Sequence, residues 1–131
     1  MKKEFVPYNE ALELKQLEFD EPCFGYYNIT WHIQNELHFP EYGAIVDKWN
    51  TESHLVSVPT YSQAFRWFRE KYELFHSTNY QDDNSGPGGF DYEILNKRGK
   101  SQGDDEVPEF GTYEEAELAC LQKLIEIVKT K

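Results

Sequence analysis

Apolar residues recur along this chain at two different intervals, and the switches between them mark out its elements. From about Pro7 to Leu17, residues Tyr8, Ala11, Leu12, Leu14 and Leu17 make one broad apolar face. Asn9, Glu10, Glu13 and Lys15 fall opposite, which is the interval of an amphipathic helix. Pro7 suits a first helical turn, and Pro22 forces a stop, because proline drives the residue before it out of helical backbone. A second helix is predicted over Thr60 to Tyr72, opened by Thr60 and Gln63 at capping-box spacing. Tyr61, Ala64, Phe65, Phe68 and Tyr72 share one stripe, with Trp67 roughly 100° from its centre, where core meets solvent. A third begins at another capping box, Thr112 and Glu115. Glu114, Glu115 and Glu117 lie near its positive end, with Lys129 and Lys131 at the negative one. Ala116, Cys120, Leu121, Leu124, Ile125, Ile127 and Val128 give it a face broad enough to need a sheet beneath.

Between the helices the pattern turns to β-branched and aromatic residues at shorter intervals. Phe24 to Ile33, Tyr42 to Trp49, and Leu55 to Val58 read as strands. Leu74 to Thr78 and Phe90 to Leu95 read as a hairpin around the polar, glycine-rich stretch Gln81 to Gly89. Mobile loops are predicted at about 79–89 and 96–111. The order is α-β-β-(β)-α-β-β-α. Strands and helices do not alternate one for one, so the expectation is an α+β fold in a single domain spanning 1–131. One antiparallel sheet would carry three helices mainly on one face.

Length agrees with one domain, 131 residues being within the usual range. Aromatic residues at 16% argue against disorder. No apolar run is long enough to cross a membrane, and the charged start from Met1 to Pro7 does not read as a secretory signal. Asp and Glu number 24 against 13 Lys and Arg, a net charge of −11. That sign disfavours general nucleic-acid binding and anionic membranes, and it leaves basic partners open. Cys23 and Cys120 stand far apart with no Cys-x-x-Cys spacing, so zinc is not indicated; with no export signal, free thiols in a reducing cytoplasm are expected.

Candidate chemistry is sparse. Arg66, Trp67 and Arg69 would suit stacking and phosphate gripping, or else form a solvated face with Arg66–Glu70 and Arg69–Glu73 pairs. Asp82 and Asp83 begin a faint echo of a calcium loop with Glu93 at the twelfth place, but Pro87 sits where that loop needs glycine. Asp104, Asp105 and Glu106 form a second acidic cluster. His32, His38, His54 and His76 show no metal-ligand spacing, and no local signature joins Cys23 to any of them as nucleophile and base. Phe5, Tyr8, Phe19, Phe24, Tyr26, Tyr27 and Trp31 form an aromatic set suited to a core, a sticky rim or a ring-bearing ligand. No cofactor and no metal are expected.

Three blocks, Leu17 to Tyr27, Pro59 to Tyr72, and Thr112 to Lys129, resemble small phage- and prophage-encoded proteins of Bacteroidetes without an assigned function. The resemblance implies a phage setting in the bacterial cytoplasm and a shared fold; it transfers no catalytic residue. Glu18 and Glu73 stand where such proteins often carry glycine just after a helix, so both are expected at left-handed C′ positions. The leading expectation is a non-enzymatic accessory protein that binds a host or phage protein through Arg66, Trp67 and Arg69, or through the acidic loops. A nucleotide-like ligand binder, a minor virion component and an enzyme are the alternatives.

Overall fold

The computed structural model describes residues 2–29, 36–40, 47–82, 88–103 and 107–130. The chain divides into two compact units, Met1–Tyr61 and Ser62–Lys131.

In the first unit, helix α1 (Tyr8–Gln16) begins at Pro7, which takes extended backbone (φ −63°, ψ 163°) and stands at the N-cap rather than inside the helix. The Pro7 carbonyl accepts the first helical bond, from Ala11 N–H at 2.9 Å. Ala11 and Leu14 are buried as expected. Two residues expected on the wet side are not there. Glu10 is only 8% exposed, close enough to Tyr27 for its charge, after burial itself, to raise that phenol's pKa. Lys15 turns inward along its aliphatic stem, and its ammonium donates to the carbonyls of Glu52 at 2.8 Å and Leu55 at 2.6 Å. An amphipathic lysine can cover apolar surface while its head finds oxygen.

The helix ends in a Schellman motif. Glu18 N–H donates to the Lys15 carbonyl and Phe19 N–H to the Leu14 carbonyl, each at 3.0 Å. Glu18 itself has φ 67°, the left-handed conformation predicted for it. Strand β1 (Gly25–Asn28) then pairs antiparallel with β2 (Leu55–Val58), Gly25 opposite Val58 and Asn28 opposite Leu55. The other edge of β1 is taken by His38, which exchanges two 2.9 Å bonds with Tyr26. Gly25 makes this approach easy: a Cβ would lie 2.8 Å from Leu37 Cδ1 and 3.1 Å from the His38 carbonyl, so both would have to give way.

Most of the strand predicted over Tyr42 to Trp49 falls outside the described residues. Its last residue does not extend it, since Trp49–Thr51 is a 3₁₀ turn. Asn50 fixes that turn. Its side chain donates to the Phe19 carbonyl and accepts from Ser57 N–H, both at 2.8 Å, while its own N–H reaches Ser57 Oγ.

In the second unit, α2 (Tyr61–Tyr72, its first residue belonging to the preceding unit) starts directly after Thr60. Its exit again places a glutamate at positive φ, Glu73 at 55°, and Leu74 N–H closes on the Phe68 carbonyl at 3.4 Å. Strands β3 (Phe75–Gln81) and β4 (Gly89–Leu95) pair through an unbroken register from Phe75–Leu95 to Gln81–Gly89. The ladder therefore takes in Asn79 to Gln81 and Gly89, which the sequence pattern assigned to a loop. Gly88 stands at its neck, where a Cβ would collide with the Gln81 carbonyl.

The stretch after β4 is also more regular than the expected loop. Asn96 Oδ1 accepts from Arg98 N–H and Lys100 N–H, turning the chain back along β4 to make the Leu95–Ser101 and Phe90–Phe110 bridges. Helix α3 (Tyr113–Lys129) is capped as predicted, Thr112 Oγ1 accepting from Glu115 N–H at 3.1 Å. It packs on β3 and β4, burying Ala116, Cys120, Leu121, Leu124 and Ile125.

The α+β class and the antiparallel pairing are as predicted. The expected single sheet is instead two separate two-stranded ladders among the described residues. Local segments account for this. His38 covers the outer edge of β1, while Val6, whose N–H donates to the Pro59 carbonyl, ties down the end of β2.

Candidate functional site

Arg66 and Arg69 are exposed on α2, but Trp67 is only 4% exposed. Its indole meets Phe68 edge-on at 5.1 Å and Tyr72 at 5.4 Å, and the Lys71 ammonium lies 5.1 Å from the ring centroid. Burial corrects the expectation of an open stacking edge. The apolar stripe of α2 is wider than its spacing implied, and Lys71, not Arg66 or Arg69, is the cation over the ring. Arg69 instead acts on His76. That imidazole stacks on Phe65 at 3.7 Å, and burial first, then the Arg69 charge, lowers its pKa below 6.5.

Of the acidic candidates, Asp82 is exposed at the end of the hairpin. Asp83, Asp104 and Asp105 lie outside the described residues, as do His32 and Trp31. Among the described residues no group of three or more His, Cys, Asp or Glu is placed to hold a metal ion.

Both thiols are buried, and burial above all pushes each up to about 12, with Glu21 beside Cys23 and Glu117 beside Cys120 adding to it. A thiol held protonated in this way is a poor nucleophile. The first-unit aromatics are largely engaged with one another: Tyr8 with Tyr27, Phe5 with Phe39, and Tyr26 with both His38 and Trp49. Trp49 Nε1 also donates to the Cys23 carbonyl at 2.8 Å.

Among the described residues, a concave feature lies elsewhere, on the β3–β4 hairpin. Alternate residues of a strand share a face, so Asn79 and Gln81 of β3 and Asp91 and Glu93 of β4 project on one side of the ladder. The returning segment adds Ser101 and Gln102, and the result is an open polar groove of about 260 Å³. Two carboxylates line it, and among the described residues no basic side chain does. Asp91 Oδ1 is shut off from water and accepts no hydrogen bond, a state that costs desolvation. Beside the ladder, Tyr80 and Tyr113 are 58% and 44% exposed, and Phe90 meets both rings edge-on at 5.3 and 5.9 Å.

The sequence carried a signal for this groove that the strand boundaries concealed. Ending β3 at Thr78 left Asn79 and Gln81 in a loop, so their period-two match with Ser77, and with Asp91 and Glu93 across the ladder, went unread.

No family model, no curated protein and no solved structure matches this chain.

Proposed function

We propose that this chain is a phage-encoded accessory protein that works in the bacterial cytoplasm by binding a host or phage protein, without chemistry of its own. The polar groove of the β3–β4 hairpin carries this reading. A concave surface rich in amides, with a serine and two carboxylates and, among the described residues, no cation in its lining, suits a partner segment that brings hydrogen-bond donors and positive charge. The net charge of −11 adds a long-range field of the same sign, which speeds encounter with such a segment and repels nucleic acid. The resemblance of the three sequence blocks to phage and prophage proteins supplies the setting.

Parallel capture from a lysate of the bacterial host, using immobilised wild type and Glu93→Lys, tests the reading. Glu93 is exposed, so its replacement leaves the fold intact. The expected result is a protein enriched on wild type, lost on Glu93→Lys, and weakened as salt rises from about 0.05 M to about 0.5 M. Identical profiles on the two surfaces would overturn it.

A further inference from the structure

Beyond the groove, β3 has a second unusual property. Its seven residues pair with β4 along one edge. The outer edge of β4 is occupied by the returning segment, but among the described residues no backbone bond reaches the outer edge of β3. Such an edge is a template for another strand, and folded proteins ordinarily blunt it with lysine, proline, a bulge or short length. β3 uses none of these devices. It runs seven residues without a break in register, and it contains no Lys, Arg, Asp, Glu or Pro.

We propose that this edge pairs antiparallel with β3 of a second copy of the chain, giving a four-stranded sheet with the two β3 strands at its centre. The strand is complementary to itself. A two-fold axis through Thr78 and normal to the sheet sets Thr78 against Thr78, Ser77 against Asn79, His76 against Tyr80 and Phe75 against Gln81. Directly opposed residues in an antiparallel ladder point to the same face, and identical strands meet that condition only in registers centred on a residue. The register on Thr78 is the one that pairs all seven. Thr78–Thr78, Ser77–Asn79 and His76–Tyr80 set hydroxyl with hydroxyl, hydroxyl with amide and ring with ring, and no pair, Phe75–Gln81 at the ends included, sets like charges face to face.

Tyr80, largely exposed here, would meet the second copy's His76 ring. A basic segment, by contrast, would find no counter-charge on this strand, which favours a second copy as occupant. The contact is short, roughly 24 Å of strand, and two chains of net charge −11 repel one another. Association is therefore weak at low salt and strengthens as salt screens the repulsion.

Cysteine cross-linking with diamide tests the register; diamide takes up two electrons and two protons as two thiols join. Opposed Cα atoms lie about 4.5–5.5 Å apart, within disulfide reach, so Thr78→Cys should give a covalent dimer. Tyr80→Cys, though more exposed, would place its two thiols on residues about 13 Å apart along the ladder and should not. Sedimentation velocity should show wild type shifting from monomer toward dimer as concentration and salt rise. Ser77→Lys with Asn79→Lys should remain monomeric, and mixing it with Ser77→Glu plus Asn79→Glu should restore the dimer, which also shows that both variants fold. Cross-linking of Tyr80→Cys as fast as Thr78→Cys, cross-linking of neither, or a wild type that stays monomeric throughout would overturn the proposal. So would binding of a basic peptide along β3 that weakens with salt.

Discussion

β1–β2 and β3–β4 are both two-stranded antiparallel ladders among the described residues, yet one is buried almost throughout and the other is open on one face and, among those residues, on one edge. Seven of the eight residues of the first are buried, and neighbouring segments hold the edge of β1 and the end of β2. In the second, Ile94 and Gly89 are the buried residues, and β3 has none. The same pairing chemistry therefore serves two ends. In the first unit it is core, where each side chain answers to packing; in the second it presents a polar face to solvent. Sequence shows the cause. Leu55-Val56-Ser57-Val58 is a nearly continuous apolar run, whereas Ser77, Asn79, Gln81, Asp91 and Glu93 put polar groups at every second place.

The largest expected effect separates the units through their thiols. Cys23 lies in one and Cys120 in the other, both buried and both raised to about 12. At pH 8 an ordinary thiol is substantially ionised, so iodoacetamide should label either cysteine about a thousandfold more slowly in the folded protein than in urea. Val56→Ala should speed labelling at Cys23 before Cys120, if each unit opens on its own. Simultaneous labelling in that variant would show that the two open together.

Next comes the packing contrast. Val56→Ala removes buried methyl groups from a fully enclosed position and should cost about 2 kcal/mol in urea denaturation. Ser77→Ala, on the open ladder, should stay within about 0.5 kcal/mol. Equal costs would mean that β3 is covered in solution, as the second-copy sheet requires at high protein concentration. The comparison therefore belongs at low micromolar protein and again at high concentration.

Smaller still are the helix exits, one in each unit. Glu18 and Glu73 hold positive φ, where a side chain costs about 1 kcal/mol relative to glycine, and a carboxylate also meets the negative end of the helix dipole. Glu18→Gly and Glu73→Gly should each raise the melting temperature. The gain should be smaller for Glu73, whose carboxylate also pairs with Lys97 at 3.6 Å; that pair is well exposed and contributes little. A lower melting temperature for both would mean that these exits relax without strain.

Those exits also show which features could be read before the structure. Thr112 with Glu115 and the run Leu55 to Val58 were legible because each is settled within a few residues, whereas the left-handed Glu18 and Glu73 were expected from the resemblance, which places glycine at both positions. Capping and left-handed backbone are local chemistry. Trp67, Glu10 and Lys15 were misplaced because their burial is decided by what folds over them. The Lys15 ammonium finds its carbonyls about forty residues away in sequence. The groove was missed for a third reason: a ladder's length is fixed by pairing, and the polar residues Asn79 and Gln81 look like loop until Asp91 and Gly89 stand opposite them.

The smallest effect is a pH dependence confined to the open ladder. His76 stacks on Phe65 and lies near Arg69, and both burial and that positive charge disfavour its protonated form. Its folded pKa is thus below the unfolded value of about 6.5. When pH falls below that value the unfolded chain takes up a proton first, so stability drops; above it both states are neutral and the contribution is fully present. Urea midpoints between about pH 5 and pH 7.5 should therefore decline toward acid. His76→Gln should remove that part of the decline, and Arg69→Gln should shrink it by relieving only the charge. Because burial is the larger cause, the Arg69 variant should retain most of the slope. An equal loss in both variants would mean that charge, not enclosure, governs this imidazole, and that β3 is open even on the face turned toward Phe65.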